Sequence, residues 1–217
     1  MDTGAILQKI LETGYFSLPK KHYETPPQFL AAVALERADR WEIPCSHTRY
    51  DPALEADLKR LASRLRQVVP ASLSSLLRAT NGAEFFRLHY QSSVGSDGYY
   101  IPRYRVFNCD KTLEVNRELL DVFRSYAESD DRYRKTRRLN YLAYCDVGDG
   151  NYLAVNLAGA NAGSVFFLDH EYGFYPYSSE LATEDAYAHV AGSIDEWLVR
   201  LVQTGGWDGL GGRFKPL

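Results

Sequence analysis

The sequence predicts an α+β fold, in which helices pack on an antiparallel sheet. Aromatic and β-branched residues, which favour strands, form three short apolar runs separated by turn residues, at positions 141–145, 152–157 and 165–168. Asp149-Gly150 lies between the first two runs and tolerates the positive φ angles of a two-residue hairpin turn. We therefore expect residues 139–168 to form a three-stranded antiparallel meander, with helices covering one of its faces.

Residues 1–68 are predicted to form a helical extension packed on the core. Its first helix ends at Gly14 and carries apolar residues at helical spacing, namely Ile6, Leu7, Ile10 and Leu11. Pro26-Pro27 opens a longer helix, in which apolar side chains recur on one stripe as far as Trp41, and Pro44 ends it. At this spacing we interpret Trp41 as a core residue and not as a ligand-stacking residue.

A third helix of the extension starts at Asp51-Pro52, where Asp51 serves as N-cap and Pro52 as the first helical residue. Its predicted buried face consists of Leu54, Leu58, Leu61, Leu65 and Val68. At the other end of the sequence, residues 205–217 are predicted to form an irregular, Gly-rich tail.

Capping signals mark the later helices. The helix after Pro70 ends at the left-handed stop Asn81-Gly82, and Asp110 caps the next helix. Ser193 and Glu196 form a capping box, in which the serine side chain accepts the amide hydrogen of the glutamate and the glutamate reaches back. Short strands are expected over residues 84–90 and 104–107.

Charge is distributed unevenly along the chain. The net charge is only −3, but no Lys or Arg occurs between Leu139 and Val199. Residues up to Arg138 carry a balance of +4, whereas those after it carry −7. Such an asymmetry can steer a charged partner. The basic run 132–138 could bind phosphate groups, but without a basic domain around it we interpret it as a solvated loop and expect no direct nucleic-acid partner.

Composition and cysteine spacing set the expected compartment. The first residues lack the basic start and long apolar run of a signal peptide, and no apolar stretch approaches the length of a membrane span. Cys45, Cys109 and Cys145 are widely separated and form no CxxC pair, which disfavours a disulfide framework or a cysteine-rich zinc site. We therefore expect a cytoplasmic protein without a membrane partner.

A series of short motifs spans the second part of the chain. Pro70-x-Ser72-Leu73-x-x-Leu76-Leu77 ends in Asn81-Gly82, and a strand over 142–146, the turn 148–152, a strand ending Asp169-His170-Glu171 and Ser193-x-x-Glu196-Trp197-Leu198 follow. In this order and spacing the motifs resemble the SUKH superfamily, which includes the yeast cell-wall-synthesis regulator and many bacterial immunity proteins, over about residues 69–204. The resemblance implies one curved, mostly antiparallel sheet with helices packed on it. It also implies a binding protein and not an enzyme.

Cofactor and metal motifs are weak in this sequence. Asp146, Asp149 and Asn151 lack the order and the terminal Glu of an EF-hand calcium loop, so they predict a hairpin turn. The glycines in Gly206-x-x-Gly209-x-Gly211 lack the preceding strand and following helix of a dinucleotide site. We therefore expect no cofactor and no catalytic metal.

His170 is the residue that an enzyme would use. It lies between Asp169 and Glu171 and could act as a general base or metal ligand. A nucleophile would require Cys109 or Cys145 to lie beside it. We favour a histidine at a strand end with charged surface neighbours, and a hydrolase that uses His170 stays the weaker alternative.

The expected function is protein binding, as an immunity protein that neutralises a polymorphic toxin, such as a nuclease, by occluding its site. In a three-stranded meander the first turn and the end of the third strand lie at the same end of the sheet. This places the predicted partner-binding residues together: Asp146, Asp149, Asp169, Glu171, Tyr172 and Tyr175. A basic toxin domain would relieve the repulsion among these carboxylates. A regulatory or scaffold domain for a cellular protein is the alternative, and simple surface solubility is the alternative role of the carboxylates.

Overall fold

The computed structural model describes residues 2–21, 24–26, 31, 33–66, 68–88, 104–129, 140–168 and 189–210. Within these ranges the chain forms five α-helices: α1 (Thr3–Glu12), α2 (Glu55–Leu65), α3 (Ala71–Ala79), α4 (Cys109–Ser129) and α5 (Ile194–Thr204). It also forms nine strands: β1 (Tyr15–Pro19), β2 (Leu35–Glu36), β3 (Arg40–Arg49), β4 (Ala83–Leu88), β5 (Tyr104–Val106), β6 (Tyr141–Gly148), β7 (Asn151–Asn156), β8 (Val165–Leu168) and β9 (His189–Ala191).

The nine strands form one sheet that does not close on itself. Its strand order is β1-β3-β4-β5-β6-β7-β8-β9, and the short β2 pairs with β3. All the strand pairs in the described ranges are antiparallel. The predicted α+β fold, with a mostly antiparallel sheet and a helix in the N-terminal part, is therefore confirmed. No helix in the described part of the chain combines the length and hydrophobicity that a membrane crossing demands.

The predicted meander is confirmed. β6 pairs with β7, and β7 pairs with β8, both antiparallel. Gly148 lies opposite Asn151 across the first turn, which leaves Asp149 and Gly150 as the two loop residues. Their φ angles of 50° and 77° are both positive, as a tight hairpin turn of this length requires. The turn is therefore a tight two-residue turn, formed by residues that tolerate left-handed backbone.

Helices pack on both faces of the sheet. The larger hydrophobic cluster joins buried residues of α1, α3 and α5 to the sheet, and Leu142 of β6 belongs to it. The smaller cluster joins Val115 and Leu119 of α4 to Tyr141 and Ala143 of β6. Successive side chains of a strand point to opposite faces, so the two clusters lie on opposite sides of the sheet. The prediction of helices on one face is therefore incomplete, because α4 covers part of the other.

The helix predicted from Pro26 to Pro44 is wrong where the structure describes it. Residues 40–49 form β3, which pairs with β1 and β4. Trp41, Ile43 and Cys45 pack against the larger cluster at every second position, which is the period of a strand. The backbone of β3 pairs with the strands on both of its sides, so tertiary pairing overrides the apparent helical stripe. The prediction that Trp41 packs against the core is confirmed.

Helix α2 starts later than predicted. It begins at Glu55, because the carboxylate of Asp57 accepts the backbone N–H of Leu54 (3.2 Å). Leu58 and Leu61 are buried as expected. Leu54 and Val68 are 70% and 88% exposed. The buried face of α2 is therefore shorter than predicted.

The predicted N-cap of α4 is wrong, and the predicted cap of α5 is largely correct. Asn108, and not Asp110, caps α4, because its Oδ1 accepts the N–H of Lys111 (2.7 Å). In α5, Ser193 Oγ accepts the N–H of Glu196 (3.1 Å), as predicted. The Glu196 carboxylate reaches back one residue further than a capping box requires, to the N–H of Gly192 (2.8 Å).

The segment after α5 packs into the core. Trp207 and Leu210 are 8% and 1% exposed. The indole N–H of Trp197 donates to the carbonyl of Gly209, and the hydroxyl of Tyr104 donates to the carbonyl of Gly206, each at 2.9 Å. Residues 205–210 are therefore an ordered part of the core in spite of their glycines.

The first part of the chain shares one sheet with the rest. β3 and β4 pair with each other across the predicted domain boundary at residue 68.

Candidate functional site

The predicted partner-binding residues fall partly within the described ranges. Asp146 lies near the end of β6, and Asp149 lies in the β6–β7 turn. The other four lie outside the described residues, namely Asp169, Glu171, Tyr172 and Tyr175. His170 and the basic run 132–138 also lie outside them. The structure therefore brings together Asp146 and Asp149, while the places of the remaining four stay predictions.

Strand register defines one end of the sheet, which we call the turn end and define by Asp146, Asp149, Tyr152 and Leu168. Asp146 lies opposite Tyr152, and Tyr152 lies opposite Leu168. The last residue of β8 therefore lies two strands away from Asp146, at the end of the sheet that carries the β6–β7 turn. Asp169 follows Leu168 directly in the chain. This is the arrangement that the up-down-up connection predicts.

The two carboxylates of the turn end differ in their surroundings. Asp146 is half-buried, and its Oδ1 accepts the N–H of Gly148 (2.7 Å), where the pairing of β6 and β7 shifts register. This hydrogen bond fixes the orientation of the carboxylate. Asp149 is exposed at the tip of the turn. One negative charge is therefore held in place by the backbone, and the other projects into solvent.

A row of polar residues runs across the sheet from the turn end, and we call it the polar row: Glu84, Arg105, Asp146 and Tyr152. Each member lies directly opposite the next on the neighbouring strand, from β4 to β7. The Glu84 side chain is only 11% exposed and lies between two guanidinium groups, 3.8 Å from Arg105 and 3.7 Å from Arg87. Arg105, which is about half exposed, therefore stands beside both Glu84 and Asp146.

Tyr152 connects the polar row to helix α4. Its ring packs edge-on against Phe107, with 6.0 Å between ring centroids. Burial raises the pKa of Tyr152, and the negative charges of Asp146 and Glu118 raise it further, while Lys111 acts in the opposite direction. The phenol therefore stays protonated at neutral pH and presents an apolar ring with a polar tip beside two carboxylates. Glu118 and Lys111 bring the first turns of α4 to the same surface.

Sequence reasoning missed Arg105, Tyr152 and Glu118 as members of this surface. They come from β5, β7 and α4, and only the strand register and the packing of α4 bring them together. The alternation of polar and apolar residues around Arg105 indicates a strand with one polar face. That pattern does not indicate which strands lie beside it.

The described residues offer no activated nucleophile among the three thiols. Burial raises the pKa of Cys45 to about 12 and that of Cys109 to about 11, and it also raises the pKa of Cys145 well above its ordinary value. Cys45 Sγ lies 3.7 Å from His47 Nε2, but that nitrogen lies 2.6 Å from the carbonyl oxygen of Thr13. The ring therefore cannot accept the thiol proton at this nitrogen. Among the described residues, no group of three or more His, Cys, Asp or Glu side chains could hold a metal ion.

Comparison with known families gives one match that covers most of the chain. A family model described as SMI1/KNR4 family (SUKH-1) matches residues 52–200. No curated protein matches the chain significantly. The matched residues include the meander, the polar row and helix α4.

Proposed function

The chain belongs to the SMI1/KNR4 family (SUKH-1), and we propose that it is an immunity protein, a non-enzymatic domain that neutralises a polymorphic toxin by occluding its site. Membership of this family supports a role in toxin immunity or in related protein binding. The proposed partner is a basic toxin domain, for example that of a nuclease, and the proposed place of action is the cytoplasm.

The observation that carries this proposal is the charge of the turn end. Asp149 lies in the two-residue hairpin turn and Asp146 lies just before it, and no Lys or Arg occurs from residue 139 to residue 199. Carboxylates held in this way can occupy the positions that substrate phosphates take in a basic catalytic cleft. Complementary charge also speeds the encounter of the two proteins.

The turn end also has the structure of a binding surface. Its carboxylates stand on strands and on a two-residue turn, so little conformational entropy is lost when a partner binds. Tyr152 adds an aromatic ring with a polar tip, a residue type that is frequent among the strongest contacts of protein interfaces. Asp169, Glu171, Tyr172 and Tyr175 would extend the surface, as the sequence predicts.

The test uses a variant that changes charge and preserves shape. Asp146→Asn keeps an Oδ1 that accepts the N–H of Gly148, and Asp149→Asn keeps a residue that tolerates its φ of 50°. The control, Glu12→Gln with Asp39→Asn, removes the same charge from exposed positions on α1 and near the β2–β3 turn. We expect the first pair to slow association with the toxin encoded beside this gene by about three- to tenfold at low salt, and the control to have no effect.

Two outcomes would contradict the proposal. If the chain neither binds that toxin nor protects cells that produce it, the protein is not its immunity partner. Recovery of a cellular protein in stoichiometric amount would then favour the regulatory or scaffold alternative. If the toxin binds but both double variants associate at the wild-type rate, the partner docks away from the turn end.

A further inference from the structure

His47 joins three elements of the fold through both of its ring nitrogens. Its Nδ1 accepts the backbone N–H of Phe86 in β4 (3.1 Å), and its Nε2 lies 2.6 Å from the carbonyl oxygen of Thr13 between α1 and β1. An amide N–H can only donate and a carbonyl can only accept. The proton of the neutral ring therefore lies on Nε2, and Nδ1 carries none.

The residue that His47 holds has an unusual backbone. Phe86 has a φ of 54°, in the left-handed region that bulky residues rarely adopt. It lies where the pairing of β3 and β4 shifts register, so its strand contains an irregularity there. The His47 and Phe86 rings pack edge-to-face at 4.8 Å. His47 therefore supplies the acceptor for an amide that regular strand pairing would otherwise satisfy.

We propose that His47 is a proton-sensitive clamp, which in its neutral form ties the β4 irregularity to the α1–β1 junction and which opens this corner of the sheet when it is protonated. Protonation places a hydrogen on Nδ1, so the ring loses its only acceptor and two donors face each other at Phe86. The bond to Thr13 persists in both forms. The clamp is therefore released at the β4 side first.

Among the described residues, no charged side chain beside His47 compensates the positive charge that protonation adds to its ring. On β3, the nearest titratable group is the Cys45 thiol at 3.7 Å, and burial raises its pKa to about 12, so it stays neutral. On β4, the rings of Phe85 and Phe86 face the imidazole, whereas Glu84 pairs with Arg87 and Arg105. On the α1 side, Thr13 contributes its backbone, and the charged residues of the last helical turn, Lys9 and Glu12, are exposed.

These contacts give the pH dependence a definite sign. Burial lowers the pKa of His47, and the Thr13 carbonyl opposes this only in part. A histidine with a lowered pKa in the folded state contributes stability that is complete above its unfolded pKa of about 6.5. That contribution is lost as the pH falls through the folded-state pKa. Within this window, the ratio of open to closed protein rises by at most about tenfold per pH unit.

The experiment compares three proteins between pH 8 and pH 5. In His47→Asn, the short amide side chain can still accept the Phe86 N–H but does not titrate. His189→Asn is the control, because His189 is exposed on β9. We expect the wild type and His189→Asn to lose stability against urea below about pH 6.5, with His47→Asn losing markedly less. Parallel pH profiles for all three proteins would overturn the proposal.

A second measurement does not depend on any variant. The ¹⁵N shifts of the His47 ring in the wild type report which nitrogen carries the proton. We expect a bare Nδ1 at pH 8, and a shift of the Phe86 amide signal that follows the titration of the ring. A ring with its proton on Nδ1 at pH 8, or a Phe86 amide that ignores the titration, would contradict the clamp. Neither result depends on the toxin partner.

Discussion

Asn116 of α4 and Ala143 of β6 exchange two hydrogen bonds, as two paired strand residues would. The N–H of Ala143 donates to Asn116 Oδ1 at 2.9 Å, and Asn116 Nδ2 donates to the carbonyl of Ala143 at 2.8 Å. Val106 and Cys145 are the last paired residues of β5 and β6. Ala143 therefore lies beyond the end of this pairing. A side-chain amide therefore continues the sheet at this point and locks α4 against β6.

Replacing Asn116 with Ala should lower the free energy of unfolding by about 2–4 kcal/mol, because two buried backbone groups of Ala143 lose their partners. Urea unfolding measures this change. Arg117→Ala, at the exposed neighbouring position on α4, serves as the control and should change stability by less than about 0.5 kcal/mol. A loss for Asn116→Ala no larger than that of the control would show that the exchange contributes nothing.

Tyr104 and Tyr144 form a matched pair for a second prediction. Both are fully buried, and both pack edge-on against Trp197. The Tyr104 hydroxyl donates to the carbonyl of Gly206, whereas the Tyr144 hydroxyl has no hydrogen-bond partner in the described structure. Tyr104→Phe should therefore cost about 1–2 kcal/mol, while Tyr144→Phe should be neutral or stabilising by up to about 1 kcal/mol. Equal losses in thermal or urea unfolding would refute this distinction.

Arg105 should moderate the charge of the turn end. It lies directly opposite Asp146 and is about half exposed. Arg105→Gln removes a positive charge from beside the proposed binding surface, so association with a basic partner should become about twofold faster at low salt and lose this advantage at high salt. Arg64→Gln on the exposed side of α2 is the control. Stopped-flow mixing gives both rates, and an unchanged rate for Arg105→Gln would place the partner elsewhere.

Local signals sufficed for the meander and for the start of α5. The Asp149-Gly150 turn, the three apolar runs and the Ser193 cap each depend on residues close together in sequence. β3 was missed because its period-two pattern overlaps an apparent helical stripe that includes Trp41. The stability of β3 comes from its pairing with β1 and β4, and no local pattern identifies that pairing. The helix α4 cap was missed because Asn108 and Asp110 are both good capping residues.

The candidate site was predictable only in part, for a similar reason. The meander alone places Asp146 and Asp149 near one turn. Arg105 and Glu118 reach the same surface through long-range pairing of β5 with β6 and through the packing of α4. Net charge along the chain therefore overstates how acidic the surface is, because Arg105 comes from the basic part of the chain and stands beside Asp146.

The contacts between the first and last described helices determine when this fold can be completed. Thr3 donates to Asp195 across 192 positions of sequence, and the N–H of Ser17 on β1 donates to the carbonyl of Gly205 (3.0 Å). On a ribosome, α1 and β1 emerge long before α5, so they must wait for these partners. Topologies dominated by such distant contacts fold slowly. The nascent chain therefore exposes the apolar sides of α1 and β1 until α5 has emerged, and chaperones would act on it in that interval.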